Sequence, residues 1–174
     1  MAETKTVDEC VEKIYKKKVV VKRASNTSAY QKIATTIISE NATEAPDLGI
    51  SLIQPISGTI TSRFGVRARD NHPGLDIAAP KGTAIKAAAA GTVIFSGSGS
   101  PYSGYGNVVV VQCTDSVRIL YGHCSAVYVQ SGEYVAQGQV IAAVGSTGIS
   151  TGNHLHFEIR KNGSVVNPQN YIYN

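Results

Sequence analysis

Residues 152–163 read GNHLHFEIRKNG. Leu155, Phe157 and Ile159 alternate with His154, His156 and Glu158, the period-two pattern of a half-buried strand, and Asn162-Gly163 marks the turn that ends it. On a strand, residues two apart lie on one face, roughly 6.5–7 Å from each other. The apolar set can therefore face a core while both imidazoles face a groove. That placement suits two ligands of one metal ion, or a ligand and a neighbouring proton carrier. It equally suits two polar residues on a solvent face, and at this point both readings stay open.

The composition around this strand favours β structure. The chain has 174 residues, 43% of them hydrophobic, with 17 glycines and only 16% charged residues. That is enough apolar material for one domain with a buried core plus an appendage. From about residue 50 onward, segments such as GTITSRFG, GTAIKAAAAGTVIFSG, YGNVVVVQC and VRILYGHC are short, rich in β-branched residues and bounded by glycines. A weak internal echo links KGTAIKAAAAGTVI with SGEYVAQGQVIAAVG, as a duplicated half-barrel would.

Residues 1–49 differ. Thr6-x-x-Glu9 and Ser28-x-x-Gln31 resemble helix capping boxes. Val7, Cys10, Val11, Ile14 and Tyr15 follow the first at helical spacing, and Tyr30, Ile33, Ala34, Ile37 and Ile38 the second. Two amphipathic helices are expected, each needing a partner surface, followed by the polar linker SENATEAPDLG. The expected division is 1–49, helical segment and linker, and 50–174, the main domain. The chain opens inside charged, helix-like sequence with no signal peptide, which points to a native N-terminus lying elsewhere.

The net charge of +4 and pI near 9.0 attract anionic polymers. No Lys/Arg stripe marks a nucleic-acid binder, and Lys16-Lys17-Lys18 reads as a solvated helix face. No apolar run is long enough to span a membrane. The three cysteines, Cys10, Cys113 and Cys124, fit no disulfide or zinc-knuckle spacing; the last two lie on one expected hairpin but not opposite each other, so free thiols are expected.

The remaining histidines are His72, in DNHPGLDIAAP, and His123, in LYGHCSAV. His72 and Asp76 are four apart, but Pro73 and Gly74 exclude a helix, so a turn entering a strand must bring them together. Each motif alone is weak, and a loop His or a structural His explains it. Together, all four histidines fall in glycine-punctuated β segments of a single domain.

These stretches resemble the lysostaphin/LytM-type zinc metallopeptidases that cut peptidoglycan peptides. The resemblance rests on SRFGVR, HPGLDIAAPKGT, GYGNVVVV, YGHCS, QGQVIAAVGSTG and STGNHLHFEI, in the family's order, over residues 57–171. It implies a mainly β fold: a compact antiparallel β-sandwich or half-barrel built as a duplicated hybrid motif, with a short helical N-terminal segment. It implies one zinc ion (Zn2+) held by His72, Asp76 and His156, with His123 and His154 as catalytic histidines. Three protein ligands leave one zinc position open, as a catalytic site requires. The chain has no H-E-x-x-H helix, so a histidine must serve as base. Glu158 is not a family ligand and is expected to support the site. Gly74, Gly91, Gly106 and Gly138 are expected in turns or close packing, Tyr102, Tyr105 and Tyr121 as possible groove walls, and Cys124 pointing into the core.

The resemblance also implies bacterial peptidoglycan as partner and a location outside the cytoplasm: a wall, an envelope or a phage particle. A non-catalytic family member acting as a wall-binding module or hydrolase activator should have lost ligands or catalytic histidines, and here all five positions are present. A cupin-type metal enzyme would not explain Asp76, and a lipoyl-carrier reading lacks its lysine. Some family members are held latent by an upstream Asn at the metal, for which Asn26 and Asn41 are the candidates.

Overall fold

The computed structural model describes residues 45–66 and 70–173; the two expected helices, together with Asn26, Asn41 and Cys10, lie outside these residues. The β-branched, glycine-bounded segments form strands in chain order. They are β1 (Thr59–Ser62), β2 (Gly65–Val66), β3 (Asn71–His72), β4 (Leu75–Ala78), β5 (Ala84–Lys86) and β6 (Gly91–Gly97). After a 3-10 turn at Ser103–Tyr105 come β7 (Asn107–Thr114), β8 (Val117–Cys124), β9 (Ala126–Val127), β10 (Tyr134–Val135) and β11 (Val140–Ala143). Then follow β12 (His154–Lys161), β13 (Ser164–Val166) and one helical turn, α1 (Gln169–Ile172).

Among the described residues the main sheet runs β1-β4-β12-β8-β7-β6-β10, with β13 also on β12, and its pairings are antiparallel. A smaller sheet, β5-β11-β9, and a β2-β3 ribbon complete the fold. The mainly β, antiparallel architecture is the one expected. The two echoing segments meet each other: β5 pairs β11 and β6 pairs β10.

The expected alternation decides which face of β12 is inside. Leu155, Phe157 and Ile159 are all 0% exposed and join Leu75, Ile77, Ile119 and Tyr121 in a core shared with Ile85, Ile141 and Val144. Burying side chains of this size contributes about 1.5–3 kcal/mol each. Tyr121 lies within this core rather than on a groove wall, because odd-numbered positions of β8 face inward; its hydroxyl accepts the Ala88 N–H at 2.8 Å. Leu48, just ahead of the expected domain boundary, is buried in the same core. On the other face, Val108, Val110 and Leu120 form a small cluster under Phe95, Tyr102 and Tyr105. That cluster explains the unbroken valine run of β7, whose residues 108–111 are buried on both faces.

Cys113 and Cys124 are free, and their strands pair Asn107 with Cys124, so the two are not opposite partners. Cys124 is fully buried in the core, as expected, while Cys113 is only half-buried.

Candidate metal centre

The strand register assembles the site. β12 pairs His156 with Asp76 on β4 and with Gly122 on β8. Directly opposed residues share a face with Cβ atoms about 4.5–5.5 Å apart. His156 therefore has a carboxylate on one side and, over Gly122, the Tyr105 ring on the other, with ring centroids 5.3 Å apart. His72 reaches the same point from the end of β3 because the intervening turn runs against β12. A Cβ on Gly74 would sit 2.6 Å from the Phe157 carbonyl oxygen and 2.9 Å from His156 Cε1 and Nε2, so only glycine fits there.

Three atoms converge. His72 Nε2 lies 3.2 Å from Asp76 Oδ1, His156 Nδ1 lies 2.8 Å from the same oxygen, and the two ring nitrogens are 3.2 Å apart. The outer nitrogens of both rings are already committed. His72 Nδ1 is 2.9 Å from the Arg63 carbonyl oxygen, an acceptor only, so this nitrogen carries a proton. His156 Nε2 is 3.1 Å from Glu158 Oε1 and donates to it. The atoms that face each other are then His72 Nε2, His156 Nδ1 and Asp76 Oδ1, a cluster that a shared proton or a metal ion can bridge. Burial opposes charge at both Asp76 and His156. The His156 bond and the surrounding imidazoles nevertheless hold Asp76 below its ordinary value, and bonds to Asp76 and Glu158 raise His156. The His-Asp-His donor set suits zinc.

The other two histidines flank this trio. His154 Nδ1 is 2.9 Å from the Gly152 carbonyl oxygen, and its Nε2 lies 3.7 Å from Asp76 Oδ1. His123 Nδ1 is 2.8 Å from the Thr147 carbonyl oxygen, and its ring centroid stands 4.7 Å from that of His154 and 5.8 Å from that of His156. In both rings Nδ1 donates, which leaves Nε2 uncommitted to the main chain. Burial lowers the His123 pKa, more than the Thr147 bond raises it, so this ring is neutral near pH 7.

His123 arrives by an irregularity. Val117, Ile119 and Tyr121 face the core, so strict alternation would send position 123 inward too. The β7–β8 register instead slips between Asn107 and Val109, and His123 takes φ 62°. The resulting bulge re-aims the imidazole to the site and returns Cys124 to the core. Asn107 secures this corner: its N–H donates to Thr147 Oγ1 at 2.9 Å and its side-chain amide to the Cys124 carbonyl at 3.2 Å.

All five residues singled out in the sequence thus border one open groove of about 450 Å³, with Tyr105 and Ile149 also on its walls. Tyr102 packs on Phe95 instead, with ring centroids 4.8 Å apart. What the motifs did not disclose lies behind His156. Glu158 is 0% exposed; its Oε1 accepts the Tyr105 hydroxyl at 2.6 Å as well as His156, and its Oε2 accepts Arg160 Nε at 2.9 Å and Nη2 at 2.7 Å. The i, i+2 spacing placed Glu158 and Arg160 on the histidine face. Nothing near them in the sequence pointed to Tyr105.

A model of peptidase family M23 matches residues 70–168. The DD-carboxypeptidase/endopeptidase Mpg of Neisseria meningitidis is 45% identical over 123 residues, covering 67% of this chain and 28% of the relative. The murein hydrolase activator NlpD of Escherichia coli is 40% identical over 118 residues, covering 68% and 30%. The chain thus spans less than a third of the length of these two relatives. Among solved structures, a mutant catalytic domain of the prophage-encoded M23 protein EnpA of Enterococcus faecalis superposes with TM-score 0.58 at 37% identity, covering 74% of this chain and 97% of that one. The antimicrobial peptidase lysostaphin of Staphylococcus simulans superposes with TM-score 0.61 at 30% identity, covering 67% and 49%.

Proposed function

This chain belongs to peptidase family M23, and on that premise we propose that it is a zinc-dependent endopeptidase cutting cross-links or stem peptides of bacterial peptidoglycan outside the cytoplasm. The activity is assigned to residues 50–174, and residues 1–49 to an appended segment. The observation that carries the reading is the convergence of three potential ligand atoms, on His72, Asp76 and His156, beside two further histidines whose Nδ1 atoms are held by carbonyl oxygens.

His72 Nε2, Asp76 Oδ1 and His156 Nδ1 would hold the zinc ion. When bound, zinc supplies Lewis acidity, polarising a peptide carbonyl and making water a nucleophile near neutral pH. The chain's own residues handle the protons. His123 and His154 each present Nε2 to the groove, positioned to take the proton of an attacking water and return it to the leaving amine. Once charged, either imidazolium would stabilise the developing oxyanion. The carbonyl oxygens of Thr147 and Gly152 keep both rings oriented throughout. The open groove admits an extended peptide, and the net charge of +4 favours an anionic wall.

The test is mass spectrometry of fragments released from purified peptidoglycans of different cross-bridge type, with zinc, with chelator, and with His154→Ala. Fragments that vanish in both controls support the endopeptidase and identify its bond by mass. A zinc-loaded protein that releases nothing from any wall supports the activator role that the name of the NlpD relative carries.

A further inference from the structure

We propose that Glu158 is a positioning residue for the metal: by holding a proton on Nε2 of His156, it keeps Nδ1 available as a ligand. The inference rests on the zinc reading above, and it concerns why this site binds rather than what it cuts.

The two histidine ligands are oriented in different ways. His72 is fixed by a main-chain carbonyl, that of Arg63, which no side-chain substitution alters. His156 is fixed by a side chain. Its Nε2 faces Glu158 Oε1 at 3.1 Å, inside the protein, with Glu158 itself 0% exposed. A buried carboxylate accepts and does not donate, so Nε2 carries a proton, and Nδ1, which faces the Asp76 carboxylate at 2.8 Å, is the nitrogen left for the metal.

Glu158 is itself held in place. Arg160 clamps Oε2 through two donors, and the Tyr105 hydroxyl shares Oε1 with His156. Four N–H and O–H groups therefore point at two oxygens, each of them an acceptor. The three donor residues come from β12 and from the 3-10 turn before β7, so the carboxylate links the site's central strand to the Tyr105 wall of the groove. Hydrogen bonds with Tyr105, Arg160 and His156 keep Glu158 ionised despite its burial.

Glu158→Gln turns this arrangement against the metal. A carboxamide has one acceptor atom and one donor group. Arg160 claims the oxygen, so the amide N–H faces His156 Nε2. That nitrogen must then accept, the ring proton moves to Nδ1, and the ligand atom is blocked.

The experiment has two readouts. Long-range 1H–15N spectra of the metal-free protein, recorded above the pH at which His156 gives up its second proton, report the tautomer of each histidine. Competition with a chromophoric chelator reports zinc affinity. In the wild-type protein His156 is expected as the Nε2–H tautomer; Nδ1–H would overturn the proposal without any variant. Glu158→Gln is expected to shift His156 towards Nδ1–H and weaken zinc by about 10–100-fold. A folded variant with unchanged tautomer and zinc affinity within twofold of wild type would reduce Glu158 to a structural ion pair, and so overturn it. Glu158→Asp keeps the charge for Arg160 but withdraws the oxygen from Nε2 by one methylene, and it is expected to weaken zinc in the same direction. Absence of zinc binding by the wild-type protein would refute the functional reading, while the tautomer spectrum would still decide the role of Glu158.

Discussion

His123 combines two properties that a pair of substitutions separates. Its imidazole borders the groove, and its backbone sits at φ 62°, the left-handed region. A residue with a Cβ pays about 1–2 kcal/mol there, and glycine avoids that cost. Glycine in turn loses more chain entropy on folding, about 0.5–1 kcal/mol relative to alanine. At ordinary strand positions the second term alone operates and alanine is the more stable. At position 123 the difference changes sign, and His123→Gly should exceed His123→Ala by about 0.5–1 kcal/mol. Both variants strip the Thr147 carbonyl of the same 2.8 Å donor, so that loss cancels between them. Urea denaturation with equal slopes measures the difference directly. Hydrolysis should fall in both, by about 10²–10⁴-fold if His123 carries protons. A glycine variant less stable than the alanine variant would refute the bulge as the device that delivers this residue.

Three further outcomes are expected. Gly74→Ala drives a methyl group into the Phe157 carbonyl and the His156 ring, which should cost about 1–3 kcal/mol in urea melts and weaken zinc; unchanged stability would mean that the turn does not press on β12. In the metal-free protein, burial holds His123 below its ordinary pKa of 6.5, so the unfolded chain takes up the proton first as pH falls. Stability should therefore decline relative to His123→Gly on descending through pH 6.5, and parallel curves would refute that assignment. Burial pushes the thiols of Cys113 and Cys124 up to about 11 and about 12, so peptide mapping after iodoacetamide treatment at pH 8 should find both unmodified until the protein is unfolded.

How much of this could be read in advance varied with the range of the physics. The β12 alternation is local: it separates Leu155, Phe157 and Ile159 from His154 and His156, and the structure has the same division. The approach of His72 to Asp76 was legible because Pro73-Gly74 excluded a helix. The orientation of His123 was not, since alternation in β8 predicts the opposite face and the bulge depends on pairing with β7. Tyr121 misled for the related reason that an aromatic ring in a motif resembles a groove wall until the strand's inner face is known. The Tyr105–Glu158 bond joins residues 53 apart, and no periodicity signals a contact of that kind.

The position of β12 has a consequence for synthesis. It lies between β4 and β8, strands made long before it, and it brings both His154 and His156. Until it emerges, β4 and β8 expose unpaired edges that invite association with other chains. The same delay is protective. A nascent chain carrying His72, Asp76 and His123 lacks the residues that complete the groove, so the site stays incomplete until its last long strand is inserted.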